Sequence, residues 1–344
     1  MGEAERLPTV PSLGVAVVGL GVGEAHAEAY VQSGCCRLRW VYDLDAARMQ
    51  QVVARLRQGT PASSLQDILA DPQVDLVSIA SYDDAHSAQV LAALSAGKHV
   101  FVEKPLCRSL RELQAIKRAW QEHGYRLLRC NLVLRAAPLY RWLKQAIAAG
   151  ELGEIYAFDG DYLYGRLHKL TQGWRRDVRA YSVMQGGGIH LVDLMLWLTG
   201  QRPQRVSAVG NRLCTRHTAF RYLDYVAATF CFPSGLVGRI TANFGCVHRH
   251  QHVVRVFGTR ATFVYDDAGA RLHRGRDAAP ATCPVPLAPL PASKGALIPE
   301  VVASLLAGAD TRAQTQDDFA TMCACLAADE ALASGEPETI SYLA

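Results

Sequence analysis

No stretch of the chain approaches the ~20 consecutive apolar residues of a membrane span. The first dozen residues carry Pro8 and Pro11 and lack the apolar centre of a secretory signal. No Lys/Arg run resembles a basic tail, and a formal net charge of +4 is too small to imply a nucleic-acid partner. There is no CxxC: the ten cysteines are scattered, and their only close pairs are Cys35 with Cys36 and Cys323 with Cys325. That usage fits reduced thiols and argues against a disulfide framework or a zinc site. Nothing repeats at the period of a solenoid. These absences leave the expectation of a soluble, cytoplasmic protein without a membrane or nucleic-acid partner.

What is present is ordinary globular composition, half apolar and one fifth charged, over 344 residues. Single cores stop growing near roughly 250–300 residues, so two domains are expected. From Gly14 to about Leu128, short apolar runs alternate with amphipathic ones. Val15–Gly19, Leu38–Tyr42, Val74–Ala80, His99–Val102 and Tyr125–Cys130 read as strands. Glu24–Ser33, Asp45–Gln58, Ala85–Ala96 and Leu110–Glu122 read as the helices between them. The alternation predicts βαβ units around a parallel sheet, and the continuous apolar strands predict helices on both of its faces.

Beyond residue 150 the pattern changes to one-sided alternation, first in Ile155–Tyr164 and then in Arg205–Asn211, Tyr225–Phe232, Leu236–Phe244, His252–Gly258 and Thr262–Tyr265. Pro233-Ser-Gly235 marks a hairpin turn, and Ile189–Leu198 is a helix that Gly200 is placed to cap. Residues 278–293 hold five prolines and read as an extended surface segment; a helix over Asp317–Ser334 follows. The fold class expected is an α/β Rossmann domain (1–130) plus an α+β domain with an open, mostly antiparallel sheet (131–344). The C-terminal helix has the length to pack back on the first domain.

Val17-Val-Gly-Leu-Gly-Val-Gly-Glu24 closes the first strand and opens the first helix. Gly19, Gly21 and Gly23 permit a tight turn and close approach of backbone to a pyrophosphate, and the helix start offers N–H groups and a positive dipole end. Asp43 ends the second strand, where a carboxylate binds an adenosine ribose diol and repels a 2′-phosphate. NAD is therefore the expected cofactor; Arg48 keeps NADP open as the alternative.

The segment Gly97-Lys-His-Val-Phe-Val-Glu-Lys-Pro105 delivers Lys104 to a strand's carboxyl end, where open α/β sheets bind ligands. An amine lowered toward neutrality by burial or nearby positive charge can take a hydroxyl proton. The bland reading of Lys104 is a surface amine or an ion pair with Glu103. His190 lies on the helix of the second domain with Asp193 three residues on, a spacing that allows the carboxylate to orient the imidazole. Its bland reading is a core histidine satisfied by backbone.

Together with His86, Asn131, Arg135, Pro138, Gly173-Trp-Arg175 and Gly188-Ile-His-Leu-Val-Asp193, these residues resemble the glucose–fructose oxidoreductase, inositol dehydrogenase and rhizopine catabolism (Gfo/Idh/MocA) family. The resemblance implies reversible oxidation of a sugar or cyclitol hydroxyl by NAD(P). It implies that Glu103 and Lys104 face nicotinamide and substrate, that His190 lies beside the reacting carbon, and that His86, Asn131, Trp174 and Arg175 border the cofactor. Two departures stand out. The glycine loop is one residue shorter than the usual GxGxxG, which brings Gly23 and His26 early. Where many members carry an aspartate four residues before the histidine, this chain has Gly186.

Tyr162 and Tyr164 alternate onto one strand face, followed by Arg166, His168 and Lys169, with Arg175, Arg176 and Arg179 nearby. Such a cluster suits an anionic or polyhydroxylated ligand. The substrate expected is a nucleotide-linked or other anionic sugar, contacted by Lys104, Arg135, Tyr164, Arg166 and Asp193. A free-sugar or cyclitol dehydrogenase is the alternative, and a non-catalytic dinucleotide-binding regulator is the reading from another class. His248, His250 and His252 lack an evident carboxylate or cysteine, so no metal is expected. The exposed edges of an open sheet suggest a homodimer or homotetramer.

Overall fold

The computed structural model describes residues 12–276 and 282–343, which divide into two compact units. The first takes in residues 12–107, 111–133 and 292–316; the second takes in 108–110, 134–276, 282–291 and 317–343.

In the first unit, β1 (Leu13–Val18), α1 (Gly23–Gln32), β2 (Cys36–Tyr42), α2 (Ala46–Leu56), β3 (Thr60–Pro61), α3 (Leu65–Ala70), β4 (Leu76–Ile79), α4 (His86–Ser95), β5 (His99–Val102), α5 (Leu110–Glu122) and β6 (Leu128–Cys130) succeed one another. The strands form one parallel sheet in the order β3-β2-β1-β4-β5-β6. The order reverses between β1 and β4, which opens a ligand crevice at the strands' carboxyl ends. Val15, Val17, Leu76, Val77, Val100 and Phe101 are wholly buried, as central strands covered on both faces must be. Asp45 and Ser64 cap α2 and α3 by accepting from the backbone N–H of Arg48 and Asp67. The sequence pattern gave no sign of β3 or α3, which are too short to show a period.

The second unit contains α6 (Pro138–Ala148), β7 (Ile155–Leu163), α7 (His168–Thr171), α8 (Ile189–Thr199), β8 (Arg205–Asn211), β9 (Tyr225–Cys231), β10 (Val237–Asn243), β11 (Gln251–Gly258), β12 (Thr262–Asp266), β13 (Gly269–His273) and β14 (Thr282–Pro284). After α9 (Ile298–Leu306) in the first unit come α10 (Arg312–Ser334) and β15 (Glu338–Thr339). The nine-stranded sheet runs β14-β13-β12-β11-β7-β10-β9-β8-β15. Among the described residues only β7 and β10 pair parallel; every other neighbouring pair is antiparallel. On β7 the inward positions are Phe158, Gly160 and Tyr162. The absent side chain of Gly160 admits Leu191 of α8. Helix α8 is apolar and buried on nearly all sides, which marks it as a core helix. It ends at Gly200 in the left-handed conformation, φ 68°. The expected hairpin turn closes with Gly235 at φ 89°, where Gly235 donates to the Phe232 carbonyl.

Of the proline-rich segment, residues 282–284 form an edge strand, and 277–281 lie outside the described residues. The chain's return to the first unit begins at residue 292, well ahead of the last helix. There Gly295 packs on Ala25 and Ala29 of α1, and Thr315 Oγ1 donates to the Leu128 carbonyl at 2.8 Å. Helix α10 starts at Arg312, five residues earlier than the sequence pattern suggests, and its last eighteen residues belong to the second unit.

Candidate active site

The nucleotide turn is built by close approach of two loops. Gly19 has φ 83°, and a Cβ there would fall 2.5 Å from the Ala80 carbonyl and 2.6 Å from the Ser81 nitrogen, so no other residue fits. Around Gly21 the corresponding space is open. Gly23 begins α1 directly, which absorbs the missing loop residue, and no side chain among the described residues caps that helix start. Asp43 also organises the turn. Its Oδ2 accepts from the Leu20 N–H at 2.6 Å and its Oδ1 from the Asp45 N–H at 2.9 Å. A groove of about 510 Å³ opens beside it, lined by Gly21, Glu24, Arg48 and Arg55 among others. Arg55 is paired with Glu24 and Glu28.

At the carboxyl ends of β5 and β6 lies a buried polar network. Asn131 Nδ2 donates to Glu103 Oε1 at 2.6 Å and to the Lys294 carbonyl at 2.8 Å. His26 Nδ1 is 3.0 Å from Ser78 Oγ, and its Nε2 is 3.3 Å from Glu103 Oε1. Burial favours the neutral form of Glu103, but the His26 bond and charge, the Lys104 charge and the Asn131 bond overcome it and hold the carboxyl down at about 2. Glu103 is thus anionic, shared among His26, Lys104 and Asn131. Asn131 Oδ1 is buried and accepts from no donor among the described residues, as suits an amide that meets a ligand. Lys104, half-buried, comes next in the chain and is joined to Pro105 by a cis bond. His86 is wholly buried with Nδ1 2.7 Å from the Pro105 carbonyl and Nε2 3.1 Å from that of Ser81. The ring therefore braces the turn that carries Lys104, where the resemblance suggested a direct cofactor contact.

In the second unit His190 is surrounded by rings. Tyr162 stacks beside it with centroids 6.2 Å apart, and His252 meets it edge-on at 5.7 Å. His250 lies 4.9 Å from His252, and Tyr164 stacks on Tyr162 at 6.0 Å, so the expected shared face of the two tyrosines is present. Arg166 and Arg175 lie over Tyr164, at 5.8 and 6.0 Å from its centroid. Arg175 also covers Trp174 and donates from Nε to the Tyr181 hydroxyl at 2.8 Å. The remaining basic residues of the segment do not join them. His168, Lys169, Arg176 and Arg179 are exposed, and Arg176 pairs with Asp177.

Residues Met184–Gly188, immediately before α8, form a π-helical turn. Such widened turns occur often at functional sites. Its glycines are needed for packing: a Cβ on Gly187 would overlap the Tyr162 ring and come within 2.7 Å of Phe244.

Two expected substrate contacts have other partners. Arg135 Nε reaches both carboxylate oxygens of Asp193, at 3.1 and 3.0 Å, and its Nη2 reaches Oδ1 at 2.5 Å. Thr321 and Asp318 complete the cluster. Burial lowers Arg135, but Asp193 reverses this and raises the guanidinium pKa, keeping it charged. The Asp193 carboxylate is thus engaged by Arg135 and does not face the imidazole at i−3, because a buried guanidinium demands it more strongly. His248 Nε2 lies 3.0 Å from Asp267, a carboxylate that sequence spacing does not bring near. Among the described residues no three His, Cys, Asp or Glu side chains converge as metal ligands, and no disulfide joins the cysteines.

His26, Tyr181 and Phe244 lie in these clusters without being among the site residues expected from the sequence. The early histidine was a usable signal for the first; nothing in the sequence brings the other two to the helix of His190.

A glycine turn at β1, an acid at the end of β2 and a crevice at the strand-order reversal make the first unit a dinucleotide-binding domain. Residues 13–130 match the oxidoreductase family with the NAD-binding Rossmann fold, and residues 140–264 match the Gfo/Idh/MocA C-terminal domain. The chain belongs to this family of NAD-binding oxidoreductases. It is similar to an inositol 2-dehydrogenase of Acidothermus cellulolyticus, 30% identical over 209 residues, 60% of this chain. The match spans 59% of that relative's length. It is also similar to the scyllo-inositol 2-dehydrogenase (NAD(+)) of Bacillus subtilis, 28% identical over 256 residues, 72% of each chain. Among solved structures, a levoglucosan dehydrogenase in complex with NADH and levoglucosan shares the fold. Its TM-score is 0.84 at 20% identity, with 96% of this chain and 100% of that chain covered. No described helix is long and apolar enough to cross a membrane.

Proposed function

We propose that the protein is an NAD-dependent dehydrogenase of a sugar or cyclitol, acting reversibly on a secondary hydroxyl. The observation that carries this reading is the wall around His190. Tyr162, Tyr164, His250 and His252 offer flat apolar faces and polar ring edges together, a surface suited to a ring that carries C–H groups on its faces and hydroxyls at its rim. The relatives named for inositol and levoglucosan support an uncharged polyol.

Gly19, Gly21 and the uncapped start of α1 would hold the cofactor pyrophosphate, Asp43 the ribose diol, and Asn131 Oδ1 a donor of the cofactor. Bound NAD supplies the hydride acceptor. Lys104 takes the hydroxyl proton on oxidation and returns it on reduction, with anionic Glu103 fixed beside it by His26 and Asn131. His190 orients the reacting hydroxyl, and Trp174 and Arg175 border the site. Asp43 supports NAD over NADP, and Arg48 in the adjoining groove is the group that would accommodate a 2′-phosphate.

Arg166 and Arg175 over Tyr164 support a second reading, a nucleotide-linked or otherwise anionic sugar. The sheet face away from α8 carries Asp159 and Asp161 paired with Arg239 and Arg255. We propose that this face serves a homodimer or homotetramer.

The test is spectrophotometric. Inositols, levoglucosan, common free sugars and UDP-sugars are each offered with NAD and with NADP. NADH formation with an uncharged polyol is expected. Turnover of UDP-sugars alone would select the second reading. No turnover of any, combined with capture of a protein partner, would make the chain a regulator.

A further inference from the structure

The groove beside the glycine turn has a charge arrangement of its own. Arg48, Gln51, Val52 and Arg55 follow one another at helical spacing along one face of α2 and line it. Across from them stand Gly21, where the space beside the backbone is open, and Glu24 in the first turn of α1. A dinucleotide whose pyrophosphate sits at the turn and whose ribose meets Asp43 reaches this groove with its adenosine end.

Two arginines in such a groove would favour a further phosphate, but Arg55 is already engaged. Glu24 and Glu28 lie four residues apart on α1, a spacing at which like charges share a face and repel. Arg55 bridges them: its Nη2 donates to Glu24 Oε1 at 2.5 Å and its Nη1 donates to Glu28 Oε1. Both ends of the guanidinium fork, the part that grips phosphate oxygens, are thereby occupied by carboxylates. Two carboxylates around one guanidinium also leave the cluster negative. These side chains are partly exposed, so their ion pairs add little stability. Their larger effect is on the charge that a ligand meets in the groove.

We propose that Glu24 and Glu28 are specificity-determining residues for the cofactor. They hold Arg55 away from a 2′-phosphate and leave excess negative charge in the groove, which favours NAD over NADP beyond the effect of Asp43. Arg55 is a phosphate-binding group that the two carboxylates keep silent. The proposal rests on the reading of the glycine turn as the pyrophosphate site.

Glu24→Gln with Glu28→Gln keeps the side-chain lengths and frees Arg55. Dissociation constants for NADH and NADPH are measured by fluorescence titration on one preparation, so their ratio is independent of the folded fraction. The ratio is expected to shift toward NADPH by about tenfold or more, as gain of one charge-assisted contact implies. The shift is smaller at high salt, where exposed charges are screened. Adding Arg55→Met to the double variant removes most of it. A ratio within twofold of wild type in the double variant, or a shift that survives Arg55→Met in full, overturns the assignment while leaving dinucleotide binding intact. A wild type that binds neither NADH nor NADPH overturns the pyrophosphate reading as well.

Discussion

Arg135 grips both oxygens of Asp193 with its guanidinium inside the second unit, where Asp193 is 1% and Arg135 8% exposed. The pair joins the segment before α6 to α8, the helix that carries His190. Removing one partner leaves the other charge buried and uncompensated, which costs about 3–5 kcal/mol. Arg135→Met is therefore expected to lower the urea midpoint steeply. Arg135→Met with Asp193→Leu, which leaves only the more distant Asp318 carboxylate of the cluster behind, regains most of the loss. Equal destabilisation by the single and double variants would contradict the account.

Glu103 gives a signature at acid pH. Burial would raise its carboxyl; the bonds and charges of His26, Lys104 and Asn131 lower it from an ordinary 4.5 to about 2. A carboxyl depressed in the folded state contributes stability above its unfolded value and loses it as pH falls through the folded one. Stability from this group is present above pH 4.5 and declines toward pH 2, by roughly 3 kcal/mol in all. Denaturant midpoints measured across that window fall for the wild type, and Glu103→Gln flattens that part of the profile.

Asp329 has the opposite sign. Burial raises it to about 6, against the bonds it accepts from Ser182 and Gln185, beside and within the π-helical turn. A carboxyl raised in the folded state is most favourable when protonated, below its unfolded value of 3.8, and its contribution is lost as pH climbs through 6. Asp329→Asn, neutral throughout, shows no such decline. Thermal melts of the two proteins over this range should diverge with rising pH, to the advantage of the variant. Parallel curves would exclude the titration.

Much of this arrangement was legible in the residues. Period and apolar runs fix the parallel sheet, since β1, β4 and β5 must be covered on both faces, and Gly200 and Gly235 mark their turns by conformations other residues resist. Lys104 and Asp43 are readable because a strand's end places them. The path of residues 292–316 is not, because Gly295 on α1 and Thr315 on Leu128 are contacts across more than half the chain, with no local pattern. Asp193 illustrates the same limit at the site. Its helical spacing to His190 is correct, yet its partner is Arg135, chosen by burial.

We propose that Lys104 moves the proton in an NAD-dependent oxidation, and Lys104→Ala removes that amine alone. Turnover of the best polyol and NADH binding are measured on the same preparation. Turnover is expected to drop by at least about 100-fold, in line with loss of a general base, while NADH binds within a few-fold of wild type. Undiminished turnover by the variant would contradict the account.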